Sequence, residues 1–203
     1  MTASTASIAP APAPATPRLP VGAAVAIVIW LGLAVAAGAS GFLVRLPFPG
    51  AQLIILGLVA VTIAIALVRG PVRTWLDALP LRVLVGFNAM RLIGVAFLVL
   101  AAQGSLNPVF ASRAGWGDIA VAILAIVFVL AEPRRIVLHA WNVIGVLDLL
   151  VAVGTATVVT LQGTTPGVAP ILTFPLNLVP TFFVPLLFAN HVLIFRRLVG
   201  SAR

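Results

Sequence analysis

The chain has 203 residues, 62% of them hydrophobic and 8% charged, with twelve basic residues against four acidic ones and a net charge of +8. Soluble domains carry about 25% charged residues, so this composition excludes an ordinary soluble fold and a basic nucleic-acid-binding domain, and specifies an integral membrane protein. Cysteine is absent and every basic residue is arginine, which excludes disulfides, thiolate metal sites, thiol nucleophiles and cofactors held as a Schiff base on lysine.

Residues 1–20 alternate Ala, Pro, Ser and Thr with no apolar period, the pattern of a disordered tail that buries too little surface to offset its chain entropy. The uncharged stretch that follows, Val21 to Val44, exceeds the apolar core of about 7–15 residues of a secretory signal and is expected to stay in the bilayer. About 20 helical residues cross a hydrocarbon core of about 30 Å. On that measure six spans are predicted, at 21–44, 51–68, 83–102, 117–131, 136–160 and 171–195, within a transmembrane domain of residues 21–197 and ahead of a tail at 198–203. Helix is the required secondary structure, because a segment in lipid must satisfy its own backbone and no barrel-like alternation is present. The fold class is therefore an all-α six-helix transmembrane bundle.

Between spans two and three, Pro71 to Pro80 places Val72, Trp75, Leu76 and Leu79 on one helical face, with Arg73 and Asp77 at i,i+4 on another. This suits a short helix lying in the membrane interface. With six spans, one side of the membrane holds nine arginines (18, 69, 73, 82, 134, 135, 196, 197 and 203) and the other only Arg45 and Arg113. Positive charge is retained in the cytoplasm, so both termini are expected there, in a bacterial inner membrane.

The fourth span has only thirteen uncharged residues between Asp118 and Glu132, about 20 Å of helix. Asp118 is therefore expected at the outer boundary after a turn formed by Arg113-Ala-Gly-Trp-Gly117, either capping the helix or lining an outward-facing pocket with Trp116. Met90 to Gly94, Phe97-Leu98, Asn107 to Ala111 and Ala114 to Asp118, together with Asn177 to Pro185, Asn190-His191 and Arg196-Arg197, resemble an uncharacterised family of small bacterial multi-spanning membrane proteins. The resemblance covers roughly the last 120 residues and implies a helical membrane fold with no known activity.

Phe87 to Ala101 and Leu138 to Ala152 share six identities in fifteen positions at an offset of 51. On this alignment spans three and five are parallel equivalents, Arg91 matches Asn142, and Asn88 matches His139. Each span then turns a polar i,i+3 pair toward a common interior. Arg91 and Asp148 lie at similar depth, and ionisable groups in a span face the bundle interior, so the two are expected to pair, as a structural lock or as part of a site. His139 and His191 near the same membrane face allow a metal or haem b alternative. In span six, Pro175, Pro180 and Pro185 remove amides at five-residue spacing, which predicts a kink and an outward-facing cavity.

The candidate ligand-binding residues are thus Arg91, Trp116, Asp118, Asn142, Asp148 and Asn177. No nucleophile, base and orienting group can be assembled, which leaves an enzyme the weakest reading. Binding or transport of a small or lipid-like solute explains the polar interior best. Vitamin-capturing six-span subunits of energy-coupled importers share this size and topology but none of their motifs is present. An accessory or scaffold subunit, a homo-oligomer or one joined to a partner subunit, is the alternative, with Gly32, Ala36, Ala39 and Ser40 as a close-packing seam.

Overall fold

The computed structural model describes residues 18–200, so the expected tails at 1–17 and 201–203 lie outside the described residues. Among the described residues the chain is helical without strands, and six segments are long and apolar enough to cross a membrane. The protein is a multi-pass helical membrane protein.

Helix α1 (Val21–Ala39) is followed by Gly41, whose φ of +67° suits glycine, and the single turn α2 (Phe42–Arg45) leads to α3 (Gly50–Leu67). The expected short helix is α4 (Pro71–Ala78), and its Leu76 and the following Leu79 pack onto the bundle. The third span is composite: α5 (Leu81–Gly86), a tighter 3-10 segment (Phe87–Ile93) and α6 (Gly94–Ala102). Then come α7 (Pro108–Ala131) and α8 (Arg135–Gln162). The sixth span starts with a π turn (Val179–Phe183) and continues as α9 (Val184–Gly200). Helix α9 runs past the expected boundary at 197, with Leu198 buried in the core.

The largest departure from expectation is the fourth span. The segment read as an outer turn, Arg113 to Gly117, is helical, and α7 begins instead at Pro108 with Asn107 as its cap, the Asn107 side chain accepting from the Val109 and Phe110 amides at 3.0 and 3.1 Å. Its 24 residues make about 36 Å of helix, a full crossing. Asp118 is therefore mid-helix and cannot cap. The two glycines that suggested a turn serve close packing. A Cβ at Gly115 would fall 2.9 Å from the Gly94 carbonyl, and one at Gly94 would fall 2.6 Å from the Gly115 carbonyl. Spans three and four thus cross backbone to backbone.

The proline-rich start of span six is broken as expected, and the freed groups find partners. Pro185 has no N–H for the Thr181 carbonyl, and Trp30 Nε1 of α1 donates to that carbonyl at 3.0 Å, with its ring 4.7 Å from that of Phe182. Asn177 Nδ2 donates to Ala34 O of α1 at 2.6 Å, and Gly38 leaves the space its side chain occupies. These contacts fasten α1 to the rest of the bundle.

Buried side chains form two apolar clusters. One lies toward the arginine-rich end and includes Leu84, Val121, Ala125, Trp141, Leu193 and Ile194. The other lies toward the opposite end and includes Phe97, Leu106, Phe110, Ala114, Val159 and Ile171. On α7 the two are separated by Asp118, on the third span by Arg91, and on α8 by the stretch from Asn142 to Asp148. A polar layer therefore divides the core near mid-membrane.

Candidate functional site

Arg91 is the centre of this layer and is 1% exposed. Its Nε donates to Asp118 Oδ1 at 2.7 Å, one Nη to the Gly145 carbonyl at 3.2 Å, and the other to Asp148 Oδ2. The fork of the guanidinium matches this arrangement, since its donors diverge in one plane toward α7 on one side and α8 on the other. Gly117 is required here as well, because a Cβ at that position would overlap the Asp148 carboxylate. The pairing of Arg91 with Asp148 follows from their matched depth in the sequence. Asp118 as a third member does not, because a span bounded by charged residues begins nine residues too late. The available signal was Asn107-Pro108, a capping residue followed by proline at the first helical position.

Next to the triad, Asn142 and His191 pair reciprocally across α8 and α9. Asn142 Nδ2 donates to the His191 carbonyl at 3.0 Å, and Asn142 Oδ1 lies 2.7 Å from His191 Nδ1, which must therefore carry its proton and donate. His191 Nε2 has no hydrogen-bond partner, and the ring rests where a Cβ of Gly145 would be. Asn88 gives Nδ2 to the Leu84 and Val85 carbonyls, and Asn190 Nδ2 also reaches Leu84 O. Asn88, Arg91 and Asn142 are all fully buried, so three of the four positions matched between spans three and five do face the interior. The fourth, His139, is half-buried with its ring against Phe195 at 5.5 Å. Among the described residues no group of three or more histidines and carboxylates is placed to hold a metal ion.

Above the triad, on the side away from most arginines, lies a cavity of about 410 Å³. Its floor includes Arg91 and Asp118; Phe97 and Phe110 form one wall, and Ile171, Leu176, Val179 and Phe183 another. Gln52 of α3 and Thr157 and Thr160 of α8 add polar groups to the sides. Val168, at the end of the loop at 163–168, reaches the lining. Asn107 holds the loop there, its backbone N–H donating to Gly167 O and its Nδ2 donating to Thr164 Oγ1 and Pro166 O, each at 3.0 to 3.1 Å.

Of the six residues expected to face a ligand, Arg91 and Asp118 line this cavity. Asp148 sits behind them in the triad, and Asn142 is committed to His191. Asn177 is fully enclosed and clamps α1. Trp116 is 62% exposed on the outer face of α7 and cannot supply a cavity wall; its placement followed from the turn that is in fact helix. The residues the sequence did not single out, Phe97, Phe110 and Phe183, look like ordinary core apolar positions and carry no signal that separates cavity wall from filled core.

The chain belongs to a family defined by a domain of unknown function, DUF8737, which matches residues 48–199. No curated protein and no solved structure matches it. The matched segment begins just before α3 and contains the whole triad, leaving α1 outside.

Proposed function

We propose that the protein binds a small apolar or amphiphilic solute in the cavity above the triad and holds or passes it across the membrane. The observation that supports this most is the cavity itself. Its volume falls within the range of about 300–1,000 Å³ typical of ligand sites, and it combines apolar walls with few polar groups at one end. A straight sixth span would fill much of this space; the π turn and the 3-10 and turn segments before it leave it open. An acyl or isoprenoid chain fits the walls, and a polar head fits Arg91 and Asp118. The nine-to-two distribution of arginines supports cytoplasmic termini in a bacterial inner membrane, so that the cavity faces outward. Labelling of single cysteines should then reach position 163 from outside and position 134 only from inside.

Binding is tested by filling the space. An environment-sensitive fluorophore carrying an acyl chain should bind the purified protein in nanodiscs, and Ala156→Trp, which points bulk into the cavity, should weaken that binding at least tenfold while the melting temperature stays near that of the wild type. Equal binding by the filled variant would overturn the reading. A second reading, an accessory or scaffold subunit, draws on α1: Gly32, Ala36, Ala39 and Ser40 are exposed along it and offer a close-packing surface to another helix. Crosslinking from position 36 to itself or to a copurifying subunit would favour that reading.

A further inference from the structure

The polar layer sets one guanidinium against two carboxylates. With both ionised, the group carries a net charge of −1 while its side chains are only 1, 10 and 11% exposed for Arg91, Asp118 and Asp148. Uncompensated charge at this depth is costly. The surrounding elements offer no further cation at this level. Helix α9 presents His191, α3 has no ionisable residue between Gly50 and Leu67, and Arg82 and Arg113 belong to the ends of their spans. A bound metal ion would need a cage, and Asp148 has none to share: the α7 backbone at Gly117 lies directly against its carboxylate. A proton needs no cage.

We infer that the Asp118–Arg91–Asp148 group holds one exchangeable proton, which enters and leaves through the cavity at Asp118. For access this rests on the cavity reading above; the charge count does not. Hydronium in the cavity gives up its proton and remains as water, and an O–H bond forms on the Asp118 carboxyl oxygen that is not engaged by Arg91 Nε. What is left, Arg91 with Asp148, is a neutral pair. His191 is a poor alternative. Its Nδ1–H is committed to Asn142, and a proton on Nε2 would be an imidazolium donor held against Gly145 with no acceptor. A solute occupying the cavity then covers the proton's route, so that proton exchange and solute occupancy are linked.

Infrared spectroscopy of the full chain in nanodiscs tests this directly, because the sequence has only three aspartates, Asp77, Asp118 and Asp148. With carboxyl-¹³C aspartate, a protonated-carboxyl C=O band equivalent to one group per chain should be present at neutral pH, shift with the label, and shift again in D2O. It should survive in Asp77→Asn and vanish in Asp118→Asn. Should Asp118→Asn fail to fold, Asp118→Glu with unlabelled glutamate should abolish the isotope sensitivity of the band. Absence of a label-sensitive protonated band, or its persistence in either Asp118 variant, overturns the inference. The fluorophore assay separates the two proposals: probe binding without the band sinks the proton site alone, and the band without probe binding sinks the cavity reading alone.

Discussion

At the arginine-rich end, Arg82 meets Glu132 with side chains 61 and 65% exposed, and Arg73 meets Asp77 at 3.4 Å across one turn of α4. At mid-membrane, Arg91 meets Asp118 and Asp148 from a position that is almost completely enclosed. The residue types are the same and the physics is opposite. In water an ion pair exchanges one good environment for another, and contributes about 0–1 kcal/mol. Between two apolar clusters a stranded charge has no water to turn to, so the group is less a source of stability than a condition for folding, and a change that leaves its charge without any counter-charge costs about 3–5 kcal/mol. The end pairs lie at the surface; the interior group ties spans three, four and five together.

That contrast sets the order of expected effects. Arg91→Leu leaves the Asp148 carboxylate buried without a counter-charge and should lower stability in detergent by about 3–5 kcal/mol or prevent folding. Wild-type-like thermal melting of this variant would mean that the charges are better solvated than their enclosure implies. Gly94→Val acts on the same crossing by sterics alone, pushing a side chain into the Gly115 carbonyl. It should cost about 1–3 kcal/mol and separate Asp118 from Arg91. A melting temperature unchanged within error would show that spans three and four can part without loss. Arg82→Ala at the end should cost about 0–1 kcal/mol, shrinking as salt is raised. A loss as large as that of Arg91→Leu would erase the distinction between the two regions.

Much of the architecture is legible in the sequence because lipid simplifies the physics. Uncharged length gives spans two, three and five to within two residues at each end, and the prolines at 175, 180 and 185 mark where span six breaks. The same reasoning fails at α7. A rule that ends spans at charges treats Asp118 as a boundary, yet a charge can sit inside a span when its partner comes from another helix. The glycines of Ala-Gly-Trp-Gly read equally as turn residues and as points of close approach. Only the positions of Gly94 and Asp148 across the interface decide between the two, and those are non-local. For the same reason Arg91 and Asp148 could be matched by depth, whereas the cavity could not be assigned its walls: an apolar side chain facing a void and one facing a neighbour look alike in a sequence.

The polar layer is probed most directly by neutralising its carboxylates one at a time and together. Asp118→Asn and Asp148→Asn each leave one guanidinium with one carboxylate, so each should stay within about 1 kcal/mol of the wild type, whereas the double variant strands Arg91 and should lose about 3–5 kcal/mol. Thermal or denaturant unfolding of the four proteins in the same lipid reads this out. Two tolerated single changes and a double loss far beyond their sum is the expected result; strictly additive losses would contradict a single guanidinium shared between two carboxylates.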